Sequence, residues 1–134
     1  MIVLLPKSIL IIDDDMDMAI IFKVVFEKAG YNAISFTDPL LAIEHFKSNP
    51  TFYSLVLTDL RMPNKSGIEL ANEIRKVNST VDIWLTTAFM LADFSNDSNF
   101  KSAKINRIVE KPIKVSNLVK LVSNEIFSTV KSGQ

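Results

Sequence analysis

The sequence predicts an α/β fold: a doubly wound, five-stranded parallel sheet with helices on both faces. Three observations predict it. Short apolar runs alternate about five times with longer segments of helical periodicity along the 134 residues. The apolar runs are continuous rather than alternating, as in strands buried on both faces. The helical segments have the length that right-handed crossovers between parallel strands require.

The elements follow in order. Ser8 to Ile12 is a strand rich in isoleucine. Met16 to Ala29 is a helix with Met18, Ile21, Phe22, Val25, Phe26 and Ala29 at helical spacing, and Gly30 stands at its C-terminal cap. Asn32 to Phe36 is the second strand. Asp38-Pro39 opens the second helix, since proline suits the first helical turn, and Asn49-Pro50 ends it. Leu55 to Thr58 is the third strand, followed by a loop with Pro63, Asn64 and Gly67. Ile68 to Val77 is a helix with Leu70, Ile74 and Val77 on one face. Val81 to Thr86 is the fourth strand. Met90 to Ala103 is a helix interrupted by Asn96, Asp97, Ser98 and Asn99, residues that favour caps and turns. Arg107 to Val109 is a short fifth strand, and Val115 to Val130 is the last helix.

The bulk composition narrows the function. The length is that of one domain, expected over residues 1–134 with its core at about 8–130. A hydrophobic fraction of 48% and a charged fraction of 22% are those of a soluble globular protein. Fifteen basic and fifteen acidic residues cancel, which argues against direct nucleic-acid binding. With no cysteine there is neither a disulfide nor a thiolate metal site. The apolar start, Met1 to Leu5, is too short for a signal-peptide core and has no basic residue ahead of it. No run approaches a membrane span. A cytoplasmic protein is expected, as a monomer or weak dimer.

Four polar groups end four of the apolar runs: Asp13 to Asp15, Asp59, Thr87 and Lys111. In a parallel sheet they gather at the carboxyl edge, where open α/β sheets bind ligands. Asp13, Asp14 and Asp59 offer the oxygen ligands that magnesium prefers. Taken alone, Asp13 to Asp15 reads equally well as a helix cap, and both readings hold if Asp15 caps while Asp14 faces the metal. A carboxylate such as Asp59 can act as a nucleophile toward a phosphoryl group. That chemistry needs in-line attack and positive charge around the phosphoryl oxygens, which Lys111 and the Thr87 hydroxyl can serve.

The segments Leu10-Ile11-Ile12-Asp13-Asp14-Asp15, Leu57-Thr58-Asp59-Leu60-Arg61-Met62-Pro63, Leu85-Thr86-Thr87-Ala88 and Glu110-Lys111-Pro112 resemble the receiver domain of two-component response regulators. The resemblance runs from about Ser8 to Val130. It implies a flavodoxin-like sheet of strand order 2-1-3-4-5. It implies that Asp59 accepts a phosphoryl group from a sensor histidine kinase or phosphotransfer protein, with Mg2+ as cofactor. Asp14 would bind the metal directly, Asp13 through water, and Asp59 and the Arg61 carbonyl would complete the protein ligands. Thr87 and Lys111 would hold phosphoryl oxygens, with Ala88 beside them in the binding group, and the Lys111–Pro112 bond would be cis. A stand-alone receiver signalling to a downstream protein by contact is the expected function.

Some positions depart from the family pattern. Ile108 stands where an aromatic residue is usual, which puts the coupled threonine–aromatic switch in doubt but not phosphorylation. Ser102-Ala103 replaces a Gly-Ala pair, Ser66-Gly67 an Asp-Gly pair, and Ile113 a phenylalanine. Arg61 and Phe89 would flank the site, and a bulky Phe89 would shield an acyl phosphate from water. His45, the one histidine, reads as a solvated helix residue, Trp84 as core, and Phe94 and Phe100 as packing. Two other functions compete: a pseudo-receiver that binds constitutively, and a hydrolase of the haloacid-dehalogenase type. The hydrolase needs an aspartate two residues after the nucleophile, where this chain has Arg61.

Overall fold

All five residues of the first strand are buried, and the rest of the fold is arranged to bury them. The computed structural model describes residues 7–88 and 98–128. The elements are β1 (Ser8–Ile12), α1 (Met16–Lys28), β2 (Asn32–Phe36), α2 (Pro39–Ser48), β3 (Leu55–Asp59), α3 (Gly67–Arg75), β4 (Asp82–Thr87), α4 (Ser98–Ala103), β5 (Arg107–Glu110) and α5 (Val115–Glu125). The strands are parallel, in the order β2-β1-β3-β4-β5. This is the expected flavodoxin-like arrangement.

Because side chains alternate along a strand, the sheet feeds two cores. Leu10, Ile12, Val56, Ile83 and Leu85 pack under α2, α3 and α4, with Phe46, Leu70, Ile74 and Ala103. Ile9, Ile11, Leu55, Leu57 and Trp84 pack under α1 and α5, with Phe22, Phe26, Leu118 and Val122.

The helix ends follow local chemistry. Asp15 caps α1 by accepting from the amides of Asp17 and Met18. At the other end Gly30 takes a φ of +98°, and Gly30 and Tyr31 donate to the carbonyls of Glu27 and Phe26. That left-handed closure is where glycine is favoured. Asp38 and Pro39 start α2 as expected. Ser66 and Glu69 form a capping box at the start of α3.

Several expectations need correction. Helix α3 stops at Arg75, so Val77 lies beyond it and is exposed rather than on the buried face. Ile21 is exposed too, because the buried face of α1 centres on Ala19, Phe22 and Phe26. In α4 the described helix spans Ser98–Ala103, and Met90 to Asp97, with Phe89 and Phe94, lie outside the described residues. Helix α5 ends at Glu125, and residues 129–134 lie outside the described residues. Trp84 is core and Phe100 packs against the core, as expected.

His45 is not simply solvated. It is half-buried, its Nε2 lies 2.6 Å from the Tyr53 hydroxyl, and its ring packs against Phe36. The helical period alone could not reveal this, because the partner sits in the following loop. Burial pushes the Tyr53 phenol up to about 12. An unfolded tyrosine ionises near pH 10, so between pH 10 and 12 the folded chain holds the proton that the unfolded chain releases. Stability therefore falls as pH rises through that window. Urea midpoints measured from pH 9 to 12 should fall less steeply in Tyr53→Phe than in the parent; equal slopes would contradict the assignment.

Candidate functional site

The strand register sets the site. Ile12 pairs with Thr58, Asp59 with Thr86, and Thr87 with Glu110. The residues that follow or end these strands therefore meet at one edge. Asp13 extends the ladder by donating its amide to the Phe36 carbonyl at 3.1 Å. The Lys111 amide donates to the Thr87 carbonyl at 2.8 Å, which ties the end of β5 to the end of β4.

Carboxylate oxygens of Asp13, Asp14 and Asp59 lie within 4.8 Å of one another. Asp13 is 1% exposed, Asp59 is half-buried and Asp14 is exposed. The Lys111 ammonium lies 3.3 Å from Asp13 Oδ2 and 3.4 Å from Asp59 Oδ2. Asp13 Oδ1 accepts from the Asp15 amide at 3.0 Å, and Asp59 Oδ1 from the Leu60 amide at 2.9 Å.

Desolvation raises the pKa of Asp59; Lys111 opposes this, and repulsion from Asp13 adds to it. For Lys111, burial works against the charge, but attraction to Asp59 and then Asp13 outweighs it and the pKa rises. The two directions are compatible because one lysine faces two carboxylates. The resulting excess of negative charge, carried on hard oxygen donors, suits a hard divalent cation.

Thr87 is 1% exposed at the end of β4, and Arg61 and Ala88 are exposed on the loops that follow β3 and β4. Asp15 turns to the helix, which resolves the two readings of the aspartate run for that residue. The Lys111–Pro112 bond is cis. Ile108 is partly buried and packs against the core under α3 and α4.

Two contributors are backbone groups that side-chain reasoning missed. The Leu60 amide holds the Asp59 carboxylate. Gly67 lies so close that a Cβ there would be 2.3 Å from the Asp59 carbonyl oxygen and 2.9 Å from Leu85 Cδ2. Its amide donates to the Leu60 carbonyl at 2.8 Å. The signal for it was the glycine of Ser66-Gly67 in the loop after Asp59, which the sequence marked without giving its contact with the Asp59 carbonyl.

A model of the response regulator receiver domain matches residues 9–123. The response regulator receiver protein CpdR of Brucella abortus (strain 2308) is 30% identical over 122 residues, 91% of this chain and 98% of the relative. The sensor protein EvgS of Escherichia coli (strain K12) is 37% identical over 81 residues, 60% of this chain but 7% of that far longer protein. Among solved structures, a CheY-like receiver domain protein from Methanospirillum hungatei JF-1 matches with a TM-score of 0.80 at 21% identity, covering 90% and 94% of the two chains. The receiver domain of sensor histidine kinase PA1611 from Pseudomonas aeruginosa PAO1, which has a magnesium ion coordinated in its active site cleft, matches with a TM-score of 0.75 at 24% identity, covering 92% and 99%. The family match takes in Asp13, Asp14, Asp59, Thr87 and Lys111, and the chain belongs to the response regulator receiver domain family.

Proposed function

We propose that the chain is a phosphoacceptor that takes a phosphoryl group onto Asp59 from a phosphohistidine of a sensor kinase or phosphotransfer protein. The observation that carries this reading is the Asp13–Asp14–Asp59 cluster with Lys111 between Asp13 and Asp59. The Leu60 amide occupies Asp59 Oδ1, which leaves Oδ2, on the Lys111 side, as the nucleophile. Oδ2 forms a bond to phosphorus as the phosphorus–nitrogen bond of the donor breaks, and the departing imidazole keeps that electron pair. Lys111 and the Thr87 hydroxyl then bind equatorial oxygens, with the Ala88 backbone beside them. Bound magnesium would be held by Asp13, Asp14, Asp59 and the Arg61 carbonyl, and would neutralise charge on the transferred group.

This is signalling chemistry, not turnover. Arg61 stands where a hydrolase of this kind carries its acid–base aspartate. The phosphorylated domain acts by contact with a downstream protein.

Intact mass after incubation with magnesium and acetyl phosphate should show one phosphoryl adduct on the parent and none on Asp59→Asn. Steady phosphate release over many fast turnovers would make the chain a hydrolase; no adduct with any donor would make it a constitutive binding module.

The raised pKa of Asp59, which comes first from its desolvation, gives a second test. An acid whose folded pKa is raised costs stability once it ionises, and at neutral pH that cost is fully present. In the presence of a chelator, Asp59→Asn should therefore melt a few degrees higher than the parent, because the neutral amide avoids most of the desolvation cost of the half-buried carboxylate. Magnesium should raise the parent's midpoint and raise that of Asp59→Asn much less. Calorimetry showing a lower midpoint for the metal-free variant would refute the desolvation argument.

A further inference from the structure

The phosphoacceptor chemistry assigns no role to Thr86, a hydroxyl of β4 that is 1% exposed. Thr86 pairs in register with Asp59 on one side and with Val109 on the other. Side chains alternate along a strand, and residues in register on parallel neighbours share a face. Leu55, Leu57, Trp84 and Val109 all pack under α1 and α5, which places Asp59 and Thr86 on that face as well. Asp13, two positions beyond Ile11, and Lys111, two beyond Val109, continue the same alternation, and their amides still bond to the neighbouring strands. Thr87 alternates to the face of Ile83 and Leu85, so the two adjacent hydroxyls start from opposite faces.

The reach of Lys111 puts Thr86 beneath it. Lys111 follows β5, yet its ammonium lies 3.3 Å from Asp13 Oδ2 and 3.4 Å from Asp59 Oδ2. Strand β4 stands between β5 and β3, and two interstrand spacings amount to about 10 Å. The lysine stem therefore crosses the end of β4 on the Asp59 face. Thr86 is the residue of β4 on that face at the level of Asp59. An ammonium has three hydrogens, and the two carboxylates account for two of them. Across the sheet the order is Asp13, Asp59, Thr86, Lys111. An acceptor at Thr86 holds the ammonium on the Asp59 side, whereas Asp13 draws it one strand farther.

We propose that Thr86 is a positioning residue: its hydroxyl accepts the third hydrogen of the Lys111 ammonium and keeps that ammonium at Asp59 Oδ2, where the phosphoryl oxygens arrive. The inference rests on the phosphoacceptor reading above. Without the hydroxyl the ammonium leans toward Asp13 and must travel farther to meet an equatorial oxygen. Thr86 gives no ligand to the metal and acts only through Lys111.

The test separates hydrogen bonding from packing on the whole chain. Thr86→Val removes the hydroxyl and keeps the branched shape, whereas Thr86→Ser keeps the hydroxyl and loses the methyl. Intact mass followed over time with saturating magnesium and acetyl phosphate gives the rate of adduct formation. Thermal melting in chelator gives the stability of each variant. Thr86→Val should form the adduct about three- to tenfold more slowly than the parent, as the loss of one hydrogen bond predicts. Thr86→Ser should match the parent's rate. Stability should rank the other way, with Thr86→Val at or above the parent and Thr86→Ser below it, because a buried methyl is lost. Thr86→Ala, set against Thr86→Ser, repeats the contrast with the methyl absent from both, and Thr86→Ala should be the slower. A parent-like rate in Thr86→Val, or a Thr86→Ser rate as low as that of Thr86→Ala, overturns the positioning role alone. Failure of the parent to form any adduct overturns the phosphoacceptor reading, and the role of Thr86 with it.

Discussion

Asp13 is an almost fully buried carboxylate at the end of a central strand, and the site is built around balancing its charge. A buried carboxylate is tolerated only when paired and hydrogen-bonded. Here one oxygen takes the Asp15 amide and the other faces the Lys111 ammonium. The lysine must also serve Asp59, and Asp14 adds a third carboxylate nearby. Lys111 is thus shared between two of three neighbouring carboxylates. The arrangement follows from strand register, which brings the ends of β1, β3 and β5 together, and its hard oxygen donors are of the kind that suit a hard cation.

The backbone around the site serves the same charge. The Asp59 carbonyl and its neighbour Leu60 are pressed against the start of α3, where only a glycine fits without displacing the strand end. The Leu60 amide is thereby aimed at the Asp59 carboxylate, and the same amide also donates to the Thr86 carbonyl at 3.0 Å. The Asp59 carboxylate is held by backbone groups of its own strand end. Its position is a property of packing between β3, β4 and α3.

The fold was legible because it rests on local signals. Continuous apolar runs, Asp38-Pro39 and Gly30 each act through sterics or capping within a few residues, and each element they mark is present. The charged cluster was legible because parallel strands deliver their ends to one edge. What stayed hidden depends on long-range geometry. Ser66 and Glu69 read as loop and helix rather than as a capping box. His45 read as solvated because Tyr53 and Phe36, its partners, come from other elements. Ile21 and Val77 read as core because periodicity marks an apolar face without saying how far the neighbouring helices extend over it.

Ile108 and Asn72 join neighbouring elements by different means. Ile108 packs against an apolar core shared with Ala103, Leu85 and Ile83, and moving it would leave a void whose lining loses contacts on one side. Polar contacts near the surface open at lower cost, because water can replace them. Asn72, Ser102 and the Asn99 carbonyl form such a set between α3 and α4. Ser102 is itself a departure from the glycine usual at this place, and its hydroxyl supplies one of the bonds to Asn72. The same substitution that weakens the family resemblance thus adds a polar contact between α3 and α4, while an aliphatic residue at 108 keeps the adjoining core fixed.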